Sequence, residues 1–212
     1  ELEWQKNSHE RRGLLGKMNV MTLASGAELG AHPAMALIAG GIGAAFLKGR
    51  AASIVMVVAP LVGLYHVSGL ENDSFSTLSL FGFEIKSVMV DQQAWLFGLL
   101  FNIAALVAGI YSFHVRDRWQ VSMALLYAAS AVGVAFAGDM LSLFLWWEAL
   151  AITSVFQIWG RRNKISEESG FRYLFFHISS GLLLLAGIIL RYHANGEEAL
   201  ALVSLTNPLE EG

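Results

Sequence analysis

One acid, Glu148, lies within the apolar run MLSLFLWWEALAITSVFQIW, residues 140–159, and is the only charged side chain in it. Asp139 precedes the run, and Arg161 and Arg162 follow it. A helix rises about 1.5 Å per residue, so the carboxyl would sit at least about 12 Å from either end. That is near the middle of a hydrocarbon layer about 30 Å thick. Ordinary packing requires no acid there, and a charge at that depth costs at least about 2.5–3.5 kcal/mol. Desolvation penalises the charged form, which suits the carboxyl to taking up and releasing a proton rather than holding a fixed charge. The structural alternative is a carboxyl satisfied by neighbouring donors.

His177, in FRYLFFHISSG, is the second candidate. Imidazole changes charge near neutral pH, so His177 could pass protons between one membrane surface and the interior; the plainer alternative is a hydrogen-bonded structural histidine. His114 reads as interfacial beside Arg116, His66 carries only a weak signal, and Asn102 is expected to bond across helices. On the Glu148 helix, Ser142, Thr153, Ser154 and Gln157 fall on the side roughly opposite the carboxyl, so both faces carry polar groups, as in a helix buried among others. Their hydroxyls are expected to bond back to their own helix carbonyls. Asp139 is expected to cap the N-terminus of its helix, where a carboxylate is favoured, with a role at the outer mouth of a path as the alternative. Asp91 similarly opens the third apolar run, about residues 94–114. His66, His114, His177 and His193 lie at scattered depths, which argues against paired haem ligation. No cofactor and no metal site is expected. AGGIG, residues 39–43, follows no strand and reads as close helix packing rather than a phosphate loop.

The elements that must hold these residues are membrane helices. The chain has 212 residues, 55% of them hydrophobic and only 15% charged, with a mean hydropathy of +0.54. The apolar residues come in long runs, a membrane signature, and Trp and Tyr gather near the ends of those runs. A net charge of −3 gives no reason to expect nucleic acid, and the absence of Cys excludes disulfides and thiol chemistry. Six spans are expected, at about residues 33–47, 51–68, 94–114, 119–137, 140–159 and 173–192. Residues 1–32 form a polar leader, of which the charged stretch 1–17 is no signal peptide and reads as processed, upstream or foreign to the native chain, with Met18 or Met21 the natural start. Residues 193–212 read as a truncated external loop. Within the loop 69–93, alternation on both sides of Gly82 predicts an outer β-hairpin over residues 75–90, with an ordered loop as the alternative. Lys48, Arg50, Arg116, Arg118, Arg161, Arg162, Lys164 and Arg172 fall after spans one, three and five. The loops after spans two and four carry Lys86 against five acids, Glu71, Asp73, Glu84, Asp91 and Asp139. By the positive-inside rule the N-terminus lies outside.

The run LLYAASAVGVAFAGDMLSLFLWWEALAITSVFQIW resembles the fourth and fifth helices of the antiporter-like proton-pumping subunits. That family comprises the large membrane subunits of respiratory complex I and the D-type subunits of multisubunit sodium/proton antiporters. The resemblance rests on Asp139-Met140-Leu141 followed by Trp146-Trp147-Glu148. VDQQAWLFGLLFNIAALVAGIYSFHV resembles the family's third helix and GFRYLFFHISSGLLLLAGIIL its sixth, and the details lean towards the antiporter D type. The resemblance implies an all-α integral membrane fold of about fourteen helices with two inverted repeats, each holding a broken helix at mid-membrane. It implies that Glu148 pairs with a Lys on the broken seventh helix, and that further Lys and His residues continue the path sideways. The five Lys residues here, Lys6, Lys17, Lys48, Lys86 and Lys164, all lie in the leader or in expected loops. The chain is therefore expected to be the N-terminal portion of such a subunit, or one half of a split subunit completed by a second chain carrying the partner Lys.

The function expected is translocation of protons, alone or coupled to Na+, through Glu148, with other membrane subunits and the lipid bilayer as partners and the bacterial cytoplasmic membrane as location. A transporter subunit is expected rather than an enzyme; within complex I it would be a non-redox subunit. Two rivals remain: a scaffold subunit that moves no ions, and a quinone-handling subunit that would need a polar cavity open to lipid.

Overall fold

The computed structural model describes residues 31–80, 83–115, 117–195, 200 and 202. The charged leader, Gly82, Arg116 and most of the tail beyond Asn195 lie outside the described residues. The elements are α1 (Met35–Phe46), α2 (Arg50–Ser68), β1 (Phe75–Leu80), β2 (Phe83–Met89), α3 (Gln92–Tyr111), α4 (Arg118–Ala135), α5 (Met140–Trp159) and α6 (Lys164–Asn195). Short connections make successive helices antiparallel neighbours, so one end of the bundle carries the hairpin and the other, here the far end, carries the α1–α2, α3–α4 and α5–α6 turns.

α2, α3, α5 and α6 are long and apolar enough to cross a membrane, whereas α1 is a shorter apolar helix and α4 falls short of that standard. Against the six spans expected, six helices form and four of them qualify. α4 is the central helix, packed on α1, α2, α3 and α5. Its Val121, Leu125, Ala129, Val132 and the following Phe136 are almost fully buried. Ringed by protein rather than lipid, it can carry Ser122 and Ser130 inward; Ser122 donates to the Gly41 carbonyl of α1 at 2.7 Å.

The sixth helix departs most from expectation. It starts at Lys164 rather than near residue 173 and runs through residues 193–195, which composition assigns to an external loop. A local cap explains the early start: Ser166 N–H donates to Asn163 Oδ1 at 2.8 Å, while Asn163 N–H reaches Ser166 Oγ at 3.4 Å. Such a reciprocal pair satisfies helix-end donors and lets the polar turns before the apolar run wind as helix. Lys164 and Arg172 therefore belong to α6, not to a loop. Among the described residues α6 packs chiefly on α5, leaving Phe175, Phe176, Leu182, Leu183 and Leu190 exposed, as suits a surface facing lipid.

β1 and β2 pair antiparallel, Phe75 opposite Met89 and Leu80 opposite Phe83, with an irregularity between Ser76 and Thr77. β2 is stitched to the α4–α5 turn. Met89 N–H donates to Phe136 O at 2.8 Å and Gly138 N–H to Lys86 O at 3.1 Å. Lys86 N–H donates to Asp139 Oδ2 at 2.6 Å. The hairpin thus fixes where α5 begins.

α2 keeps its helix through Pro60. Proline has no N–H, so the Met56 carbonyl one turn earlier loses its helical partner. The backbone of α3 closes on that carbonyl at Gly109, where a Cβ would meet Met56 O at 2.5 Å. Asn102, fully buried on α3, does not bond across helices as expected. Its Nδ2 donates to Gly98 O of its own helix at 2.8 Å, and its Oδ1 faces Gly63 of α2 without a donor among the described residues.

Candidate functional site

α5 is positioned from its first residue. Asp139 is 5% exposed; its Oδ1 accepts from Ser142 N–H at 2.6 Å, and its own N–H reaches Ser142 Oγ at 3.3 Å, a capping box. The second carboxylate oxygen accepts from Lys86 of the hairpin. One side chain therefore ends the helix and ties it to β2. Asp91 caps α3 in the same manner, accepting from Ala94 N–H at 2.6 Å.

From that anchored start, consecutive residues of Trp146-Trp147-Glu148 point to different neighbours. Trp146 packs against Gly133 of α4 and lies 4.9 Å, centroid to centroid, from the His32 ring. Trp147 stacks on His177 of α6 at 5.8 Å. Glu148 faces α6 at Gly181, where any Cβ would strike Oε1. Glu148 Oε1 and His177 Nε2 are both buried without a hydrogen-bond partner among the described residues. His177 and Gly181 are four residues apart, one turn along a single stripe of α6. The α5–α6 seam thus carries both sequence candidates, Glu148 and His177, on the same line of contact.

Gly181→Ala tests how closely α6 must approach the acid. The added methyl displaces a flexible carboxyl rather than backbone, so folding should change by less than about 1 kcal/mol while Glu148 is turned off its position. The expected result is normal assembly with reduced ion flux, read in membrane vesicles; full flux would show that Glu148's exact placement is unimportant.

The hydroxyls of α5 divide. Thr153 bonds back to Ala149 O at 2.8 Å, as expected. Ser142 belongs to the capping box. Ser154, placed by helical angle away from Glu148, also bonds back, to Ala151 O at 2.8 Å, and in addition reaches α6, its Oγ 2.7 Å from Tyr173 Oη. Sequence reasoning does not single out Tyr173, although Tyr173, His177 and Gly181 recur every fourth residue. His114 is exposed beyond the end of α3, against Tyr111 O at 3.1 Å, and His66 Nε2 lies 3.3 Å from Ala31 O. Neither reaches the α5–α6 seam.

Sequence reasoning also misses His32, because the polar leader extends through residue 32 on composition alone. The residue belongs to the bundle. Its Nδ1 accepts from Ala34 N–H at 3.1 Å, and its ring covers Trp146. Burial pushes its pKa down from 6.5 to about 4, with nearby His66 lowering it further and the Ser87 backbone partly opposing. A depressed histidine pKa means that between about 6.5 and 4 the unfolded chain binds a proton which the folded chain refuses. Stability should therefore fall as pH drops through that window, by at most about 3 kcal/mol. Thermal melts of the detergent-solubilised protein at pH 7 and pH 4.5 measure this, and His32→Gln should flatten the slope; an unchanged slope would exclude His32 as its source.

Comparison with known proteins places this geometry. The family model described as "NADH:quinone oxidoreductase/Mrp antiporter, TM" matches residues 137–211, which include α5, α6 and the seam between them. The match takes in the last third of the chain and makes that part similar to these membrane subunits. No curated protein matches it. Its fold is similar to a chain in the structure of the membrane-bound sulfane sulfur reductase (MBS), an archaeal respiratory membrane complex, with a TM-score of 0.70 and 22% identity. That likeness covers 78% of this chain and 28% of the other, so this chain spans less than a third of the other's length. With four helices long and apolar enough to cross a membrane and a likeness to membrane subunits over residues 137–211, the chain is an integral membrane protein.

Proposed function

We propose that this chain moves protons, alone or in exchange for Na+, with Glu148 as the protonatable group at mid-membrane and His177 as its neighbour in the path. The observation that carries the reading is Glu148 Oε1, buried near the middle of α5 against Gly181 with no hydrogen-bond partner among the described residues. A carboxyl so placed is costly as a permanent charge and well suited to gaining and losing a proton. The family resemblance supports a Lys from a further helix or a second chain as the charge that completes Glu148. The described lysines, Lys48, Lys86 and Lys164, lie before α2, on β2 and at the start of α6; Lys164 is about four to five turns along α6 from Gly181, which faces Glu148. The same resemblance favours a membrane subunit of the antiporter D type in a bacterial cytoplasmic membrane, working beside other membrane subunits. The loop charges favour an external N-terminus and hairpin. The test is Glu148→Gln in the complete complex, with flux in vesicles and assembly measured on the same preparation.

A further inference from the structure

Beyond Glu148 the seam carries further side chains with exchangeable protons. On α6, Tyr173, His177 and Gly181 occupy one stripe, about 12 Å from first to last at 1.5 Å per residue. The His177 ring lies nearly parallel to both flanking aromatics, 5.6 Å and 28° from Tyr173 and 5.8 Å and 22° from Trp147. On α5, Ser154 meets Tyr173 at 2.7 Å. Ser154 has one proton and two oxygens within reach, Tyr173 Oη and the Ala151 carbonyl at 2.8 Å. It therefore donates to one at a time. When it donates to Ala151, Tyr173 can donate to it; when it donates to Tyr173, the Tyr173 proton is free to leave. Such a hydroxyl pair has two orientations that interconvert by rotation about single bonds.

The line begins beside a surface cleft. At the far end, the α5–α6 turn opens a cleft of about 730 Å³ lined by Trp159, Arg162, Asn163, Lys164, Ser166, Glu167 and Phe171. The Trp159 indole closes over Gly170, three residues before Tyr173 on the same side of α6. At the other limit stand the two buried atoms without partners, His177 Nε2 and Glu148 Oε1.

We propose that the α5–α6 seam is a proton path from this cleft to Glu148, in which Tyr173 and Ser154 are the relay hydroxyls; the proposal rests on the reading of Glu148 given above. A proton supplied by water in the cleft is accepted by one hydroxyl oxygen as that hydroxyl releases its own proton to the next. Neither oxygen is left charged. His177 takes the proton on one ring nitrogen and releases one from the other, and the Glu148 carboxylate becomes a carboxylic acid.

Proton flux in vesicles carrying the complete complex tests this with five variants, Glu148→Gln among them. Tyr173→Phe keeps the ring against His177 and removes only the hydroxyl; Ser154→Ala removes the other oxygen. Each should slow flux by about tenfold or more, the lower end of what positioned proton transfer contributes, with assembly unchanged. The double variant should be no slower than the slower single one, because both interrupt one path. Ser154→Thr, which restores a hydroxyl, should recover most of the flux, an outcome that a packing role for the serine would not give. Wild-type flux in both Tyr173→Phe and Ser154→Ala, alongside loss in Glu148→Gln, would overturn the seam and leave the Glu148 reading standing. Retained flux in Glu148→Gln would remove both.

Discussion

Glu148→Gln is expected to abolish proton flux, by about 100-fold or more, while the complex assembles in normal amount. Glutamine has nearly the same size and shape, so contact with Gly181 of α6 is kept and only the exchangeable proton is lost. Stability should hold or rise, since the substitution removes the cost of an acid with no hydrogen-bond partner for Oε1 among the described residues. Glu148→Asp separates presence from position: it keeps the acid but draws the carboxyl back by about 1.5 Å, so partial flux is expected. A scaffold subunit predicts the reverse pattern, flux unaffected and assembly weakened. Vesicle acidification and the yield of intact complex, measured together, decide between the two. Normal flux in Glu148→Gln would end the transport reading.

How far the sequence foretells this site depends on what each residue does. Glu148 is legible because a lone acid inside an apolar run has no bland explanation, and depth along a helix follows from counting residues. His177 is legible for the same reason, though not its position beside Glu148: facing requires the register between α5 and α6, which Gly181 sets by close approach. The hairpin is visible in its alternation, but its purpose is not, because Lys86 bonds Asp139 from 53 residues away. Ser154 misleads because helical angle places it correctly on α5 and says nothing about a tyrosine arriving from α6. α4 reads as a span of its own; its apolar character serves four neighbouring helices rather than lipid. His32 is hidden by composition, since the polar sequence before it makes residues 1–32 one segment, whereas its ring is held by Trp146 and Ala34.

Asp139→Ala should produce the largest loss of stability. The carboxylate accepts two short backbone bonds, from Ser142 and Lys86, both at 2.6 Å, and the residue is almost fully buried. Removing an N-cap acid costs about 1–2 kcal/mol. Leaving the Lys86 N–H without its acceptor adds about 1–3 kcal/mol, so a total of about 2–5 kcal/mol is expected. Asp139→Asn retains an oxygen for Ser142 but not for Lys86, so it should keep the cap and lose only the Lys86 share, about 1–3 kcal/mol. Because β2 positions α5 through this residue, the effect should extend to function. In whatever Asp139→Ala protein survives, the first turn of α5 frays and Trp146, Trp147 and Glu148 lose their fixed register against α4 and α6. Flux per assembled complex should then fall together with the melting temperature, whereas Glu148→Gln lowers flux alone. Hydrogen exchange at Lys86 and Ser142 reads the cause directly: both amides should be protected in the parent protein and exposed in Asp139→Ala. Protection unchanged at both would mean that the hairpin holds α5 through its main chain, by the Met89 and Gly138 bonds, and that Asp139 is dispensable to that anchor.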